Sequence, residues 1–288
     1  MTNSVGDFHL HSTASDGVRS PTWVMETAAA RGVRTLSLTD HDTTAGFAEA
    51  AAAASRLGLR LIPGIEMSTD VGKADVHLLG FGVDVESRKL QEYLAWLRDA
   101  RLGRAQRIVD ILRDNGVPVQ LERVFQIAGE ATVGRPHVAR ALLEAGHVAS
   151  VQDAFDRWLG TGKPGDVPRE KLSPQDAIAE VHRAGGVVFV AHPIFIGDGW
   201  PDVVTQLAGW GLHGIETFYK HYSPAQVEEH RALGERLGLA LSGGSDFHGL
   251  GNPDDREIGD IPFPPERVEA FVAYLEREGV QTGAVSVP

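Results

Sequence analysis

Cysteine is absent from this chain of 288 residues. That excludes disulfides, thiolate metal sites and a cysteine nucleophile, so any bound metal must sit on nitrogen and oxygen donors. Long apolar runs are missing as well, and none approaches the roughly 18 residues of a membrane span. The opening MTNSVGDFHLHS lacks the basic and apolar regions of a secretory signal. A cytoplasmic protein with no membrane partner is expected. Basic residues are also scarce: 27 Lys and Arg against 39 Asp and Glu give a net charge of −12, which opposes a nucleic-acid duplex lying along the surface. A small anionic substrate captured at bound divalent cations is compatible with that balance.

What is present is a βα rhythm. Seven apolar runs read as strands: VGDFHLH, VRTLSLTD, LRLIPGIE, DVHLLGFGV, VVFVAH, GIETFY and LALSGG. Helical patterns fall between most of them, and Ser-Pro pairs at 173 and 223 mark two helix starts as a cap followed by a first-turn proline. From about residue 84 to 170 the strand signals vanish. There Leu90, Tyr93, Leu94 and Leu97, then Ile108, Ile111 and Leu112, recur at helical spacing. We therefore expect a barrel domain from residues 1–84 and 171–288 with a helical, substrate-capping insertion at 85–170. Without the insertion roughly 200 residues remain, fewer than the roughly 250 of an eight-fold βα barrel, which suits seven strands.

The histidines and acids fall where such a fold would use them. His9 and His11 stand at i and i+2 on the first run and so share one face. Asp16 follows in the next loop, His41 follows the second run, Glu66 ends the third, His192 ends VVFVAH, and Asp246 and His248 follow LALSGG. Strand C-terminal ends form the catalytic face of a βα barrel. His77 lies early in its run, but MSTDVGKA is too short for a crossover helix, so a hairpin is expected. With Val71 and Gly72 as its turn, Asp70 would face Lys73 and Glu66 would face His77.

Nine such ligands exceed the about four to six that one ion takes and suit two or three divalent metals, Mn²⁺, Fe²⁺ or Zn²⁺, with Glu66 as bridge. Such a cluster supplies hydroxide near neutral pH and neutralises charge on a phosphate ester. The segment TDHDTT invites a rival reading, since D-x-D-x-T at Asp40, Asp42 and Thr44 matches the aspartyl-phosphate signature of haloacid-dehalogenase-type phosphatases. That reading leaves the H-x-H pair, His77, His192 and the D-F-H segment without a role. Asp40 and Asp42 are better read as partners that fix His41 or a loop.

At these residues the chain resembles the polymerase and histidinol phosphatase (PHP) family: DFHLHSTASDG, TDHD, GIE, the VH of DVHLLG, AHP and GSDFHG stand in that family's order. The resemblance implies a distorted seven-stranded TIM-like (β/α)7 barrel of the α/β class, with a trinuclear site at its C-terminal face. It implies one metal on His9, His11, Glu66 and Asp246, a second on Glu66, His77 and His192, and a third on Asp16, His41 and His248. No departure occurs at these nine positions. GRPH and GTGKPG in the insertion are similar to members that remove the 3′-phosphate from nucleoside 3′,5′-bisphosphates, some of which also trim short RNA from the 5′ end.

That resemblance makes a small phosphorylated nucleotide the expected partner. Alternatives are histidinol phosphate, short 5′-phosphorylated RNA, or a nucleotide- or metal-binding regulatory module without turnover. Arg135 and His137 at a helix start, Lys163 in a glycine-rich loop, and Lys220 with His221 after a strand are candidates for gripping phosphate. The expected reaction is attack on phosphorus by a hydroxide bridging two metals, with His221 as general acid. His147, His182, His213 and His230 read as surface residues.

Overall fold

The computed structural model describes residues 4–72, 74–129, 133–168, 171–251 and 257–282. Its framework is a seven-stranded sheet in chain order: β1 (Gly6–Asp7), β2 (Thr35–Leu38), β3 (Arg60–Val71), β4 (Ala74–Phe81), β5 (Val187–Val190), β6 (Gly214–Tyr219) and β7 (Ala240–Gly244). Pairing is parallel except on either side of β4. The two edge strands meet: the Phe8 amide donates to the Gly243 carbonyl (3.1 Å), the Asp246 amide to the His9 carbonyl (2.8 Å), and Leu10 bridges Phe247 in parallel. The sheet is thus a nearly closed, TIM-like α/β barrel, and such closure leaves no long unpaired edge.

Around the barrel run α1 (Pro21–Ala30), α2 (Phe47–Leu57), then, after the first part of α3 (Arg88–Asp114) and the helical unit, α7 (Pro174–Arg183), α8 (Trp200–Gly209), α9 (Pro224–Leu237) and α10 (Pro265–Arg277). Three starts have the same chemistry: Ser20, Ser173 and Ser223 each accept a backbone N–H through Oγ, and a proline fills the next position. Gly58 and Gly238 end α2 and α9 in the left-handed conformation that a Cβ would penalise. An aromatic cluster ties α10 to the strands, with the Phe8 and Phe271 ring centroids 4.6 Å apart and Phe81 and Phe189 each within 5.4 Å of Phe271.

The chain divides into two compact units, residues 1–91 with 171–288, and residues 92–170, so the division falls inside α3. The second unit holds the remainder of α3, α4 (Leu121–Ala128), α5 (Arg135–Glu144) and α6 (Val151–Ala154), which runs on into a π-helical turn at Phe155–Leu159. Its own core includes Ile108, Leu112, Val124, Val138, Leu142 and Leu159.

The expected hairpin forms, but in another register. Val71 pairs with Ala74, so His77 lies opposite Ser68 and Glu66 opposite Leu79; Lys73 lies outside the described residues. The slip is two residues, and because side chains alternate with period two it leaves Glu66 and His77 on the same face. Glu66 also does not end its strand, which continues to Val71. Parallel pairing with β2 stops at Pro63, and His41 then bridges Glu66.

Candidate metal centre

Six of the strands run in one direction: His9, His11, His41, His192, Asp246 and His248 follow the C-terminal ends of theirs, while Glu66 lies midway along β3. The reversed β4 delivers His77 to the same rim from its beginning. His9 and His11 alternate with Phe8 and Leu10, so the two rings converge while the apolar pair packs into the core clusters. Among the described residues, three non-glycine positions adopt left-handed backbone: Asp42 (φ 52°), His192 (φ 25°) and Asp246 (φ 49°). All three stand where a strand gives way to this site, and such strain persists only where surrounding contacts hold it.

Glu66 is the hub and is fully buried. Its Oε2 lies 3.1 Å from His9 Nε2, His11 Nε2 and His41 Nδ1; its Oε1 lies 2.8 Å from His77 Nδ1 and 3.3 Å from His192 Nε2. Asp246 Oδ1 is 3.1 Å from His11 Nε2 and 3.4 Å from His9 Nε2. Asp16 stands 3.3 Å from His248 and 4.0 Å from both His11 and His41. Donor atoms close enough to share an ion fall into three groups: His9, His11, Glu66 and Asp246; His41, Glu66 and His77; and His11, Asp16, His41 and His248. These groups overlap the sets implied by the family resemblance, but His41 joins Glu66 and His77, while His192, 3.3 Å from Glu66, falls in none of the three.

A carboxylate ringed by imidazoles must settle who is charged. Burial alone would raise Glu66, but the attraction of His41, His9 and His77 outweighs it and holds the carboxyl well below its ordinary range. Burial likewise opposes ionisation of Asp16 and Asp246, and His248 with His41, and His9 with Lys220, reverse it. Burial lowers His77 and His248, yet Glu66 and Asp75 lift the first to about 9, and Asp16 and Asp246 lift the second to about 9. His41 is the exception, since burial prevails over Glu66 and Asp16 and takes it down to about 3, which leaves His9 and His77 to hold the Glu66 carboxylate near neutral pH.

A further layer holds these residues. Glu216, fully buried on β6, bonds His9 Nδ1 (3.0 Å) and accepts the His192 amide (2.7 Å). Tyr219 donates to Asp246 Oδ2 (2.8 Å), and Lys220 Nζ donates to the Asp246 carbonyl (2.8 Å) while lying 3.3 Å from its carboxylate. Asp40 accepts from the Ser12 amide and from the Ser12 and Ser15 hydroxyls, and Asp42 accepts the Ser68 amide, so both fix loops. Asp7 takes the Ser245 and Gly259 amides, and burial pushes its carboxyl up to about 6 despite those bonds. Sequence reasoning missed Glu216 and Asp7. The available signal was an acid inside an otherwise apolar strand, which burial makes costly unless it is paired.

Among the other candidates, Arg135 and His137 have local partners. Arg135 donates to the Leu159 carbonyl (3.0 Å) and stands 3.7 Å from Asp166. His137 is buried, and its Nδ1 accepts the Gly134 amide to cap α5. Lys163 is exposed. His221 is exposed after β6, its ring 6.1 Å from that of Tyr219. His230 corrects the surface reading: it is 1% exposed, stacked between Trp200 (4.2 Å) and Tyr222 (4.4 Å). Its neighbours along α9 are polar, which hid the burial.

The donors fit divalent cations by a test independent of resemblance. His11 Nδ1 and Nε2, Asp16 Oδ1, His41 Nδ1 and His77 Nε2 are buried and lie 3.1–4.0 Å from neighbouring carboxylates or imidazoles without forming a well-directed hydrogen bond. Buried polar atoms are ordinarily paired, and a cluster of unpaired lone-pair donors is what a cation would satisfy.

Known proteins agree with this chemistry. The PHP domain family pattern matches residues 7–104. A 3′,5′-nucleoside bisphosphate phosphatase of Chromobacterium violaceum is 35% identical over 262 residues, 89% of this chain and 92% of the relative. A 5′-3′ exoribonuclease of Haemophilus influenzae is 37% identical over 246 residues, covering 84% and 89%. A solved structure assigned as a metal-dependent phosphoesterase of Bifidobacterium adolescentis superposes with a TM-score of 0.83 at 31% identity, over 93% of this chain and 95% of the other. Among the described residues no helix is long and apolar enough to cross a membrane. The chain therefore belongs to the PHP family and is a metal-dependent phosphoesterase.

Proposed function

We propose that the protein removes the 3′-phosphate of nucleoside 3′,5′-bisphosphates at divalent cations held by His9, His11, Asp16, His41, Glu66, His77, His192, Asp246 and His248. The observation that carries the reading is the Glu66 carboxylate with five imidazoles around it and unpartnered ring nitrogens beside it. Bound there, such ions would provide hydroxide near neutral pH and neutralise charge on phosphoryl oxygens.

The chain's own residues do the rest. Glu216 keeps the His9 ring turned towards Glu66 by engaging its other nitrogen. Tyr219 and Lys220 hold Asp246 from the opposite side. Tyr219 stays protonated as a donor because burial, then Asp246 and Glu216, raise its hydroxyl. His221, exposed on the loop after β6, is assigned to protonate the leaving oxygen. His221→Asn should then slow phosphate release from a nucleotide more than from a p-nitrophenyl ester, whose leaving group needs no proton.

Support for the bisphosphate comes from the likeness to the C. violaceum phosphatase across nearly the whole of both chains. Similar identity to the H. influenzae exoribonuclease supports a second reading, stepwise cleavage of short 5′-phosphorylated RNA. Phosphate release by Mn²⁺-loaded protein from adenosine 3′,5′-bisphosphate, beside 3′-AMP, 5′-AMP and a short 5′-phosphorylated RNA, separates them. Release from the bisphosphate is expected; turnover of RNA alone would replace this reading with the second, and silence on every nucleotide would end both.

A further inference from the structure

Phe195 is the most exposed large apolar side chain among the described residues, at 63%. It stands beside the metal centre. Its ring lies 5.1 Å from the His192 ring at 65° and 5.9 Å from the Tyr219 ring at 86°, so the neighbouring rings meet it at steep angles and leave much of it open to solvent. A phenyl ring present only for packing would gain more by burial, and most phenylalanines are buried.

The turn that carries the ring is firmly held. Pro193–Ile196 forms a single 3₁₀ turn between His192 (φ 25°) and Gly197 (φ 91°). The His192 amide donates to Glu216 Oε2 (2.7 Å) and the Ile194 amide to the Tyr222 hydroxyl (3.4 Å). Glu216 thus fixes His9, His192 and the turn presenting Phe195 from one buried carboxylate. A ring held in this way binds with little ordering cost, as preorganised contacts do.

We propose that Phe195 is the platform on which the nucleobase stacks while the phosphate end of the substrate lies at the metal centre. This rests on the nucleotide reading and sharpens it, because the base is the one flat apolar group such a substrate offers. Stacking on a phenyl face accepts every base, since each has a π-face. The site should therefore favour nucleotides over base-free sugar phosphates without choosing among adenine, guanine, cytosine and uracil. Phe195 is in these terms a specificity residue and takes no part in the chemical step.

The test compares kcat/KM for adenosine 3′,5′-bisphosphate with that for ribose 3,5-bisphosphate in wild type, Phe195→Ala and Phe195→Trp. Phe195→Ala should lower the ratio of the two by about five- to 150-fold, the range of one base–aromatic stack, chiefly through KM for the nucleotide. Phe195→Trp should restore it. An unchanged ratio in Phe195→Ala, or equal loss on both substrates, overturns the platform. If the wild type turns over no nucleotide, the nucleotide reading has failed, and calorimetric titration of the metal-loaded protein with 5′-AMP and with ribose 5-phosphate decides this inference alone. A preference for 5′-AMP that Phe195→Ala erases upholds it, and no preference overturns it.

Discussion

In the barrel unit His9, His11 and Glu66 are wholly shielded from solvent and turn their polar atoms towards one another. In the helical unit two buried polar groups turn to backbone instead: Arg104 Nε donates to the Val167 carbonyl (2.6 Å) and His137 caps its own helix. Both units contain buried atoms without a hydrogen-bond partner, but of opposite kinds. Those of the helical unit include Arg140 Nη2 and Trp158 Nε1, which are donors and cannot ligate a cation. Those at the barrel rim are ring nitrogens and a carboxylate oxygen gathered around one centre. Unsatisfied polarity marks a site only when the orphaned atoms share a chemistry and a focus.

The largest expected effect breaks the barrel side of that contrast. Glu66→Gln keeps the volume and removes the charge that five imidazoles face, and should cost more than about a thousandfold in turnover, with metal content by mass spectrometry falling in parallel. Full metal content with normal turnover would deny Glu66 its role as hub. The helical unit should respond in another currency. Leu142→Ala empties a fully buried position of its core and should destabilise that unit by about 2–5 kcal/mol in denaturant titration. Metal stoichiometry of the folded protein should hold, and its loss would show that the barrel site depends on that core.

The smallest effect sharpens the electrostatic account. In the metal-free protein His77 and His248 titrate at about 9, above the ordinary 6.5. Their contribution to stability is fully present below pH 6.5 and is lost as pH rises through 9. Metal uptake must displace those same protons, so affinity should rise across that window while the melting temperature of the metal-free protein falls. No change in either across that window would mean that His77 and His248 are neutral before metal arrives.

Much of the fold could be read from the sequence because its signals are local. Ser-Pro caps located α7 and α9, and alternation placed His9 and His11 on one face. The helices α4, α8 and α10 escaped notice, and each begins without a side-chain cap bond, at Gln120, Gly199 and Pro264. The hairpin register was misjudged by two because either turn keeps the same alternation. An acid within GIETFY signals that Glu216 needs a partner, but which partner is not legible there, because His9 and His192 belong to other parts of the barrel.

The reversed strand β4 has a consequence for how the site is assembled. Glu66 and His77 are 11 residues apart and meet within one hairpin, whereas His9 and Glu216 are 207 apart. Loop-closure entropy grows with the logarithm of that separation, so the second contact costs about 2.5 kcal/mol more in chain freedom than the first. One corner of the site is nearly free once the hairpin forms, and the rest depends on bringing both ends of the chain together. A cation shared by Glu66 and Asp246 would act there as a reversible cross-link between distant parts of the chain.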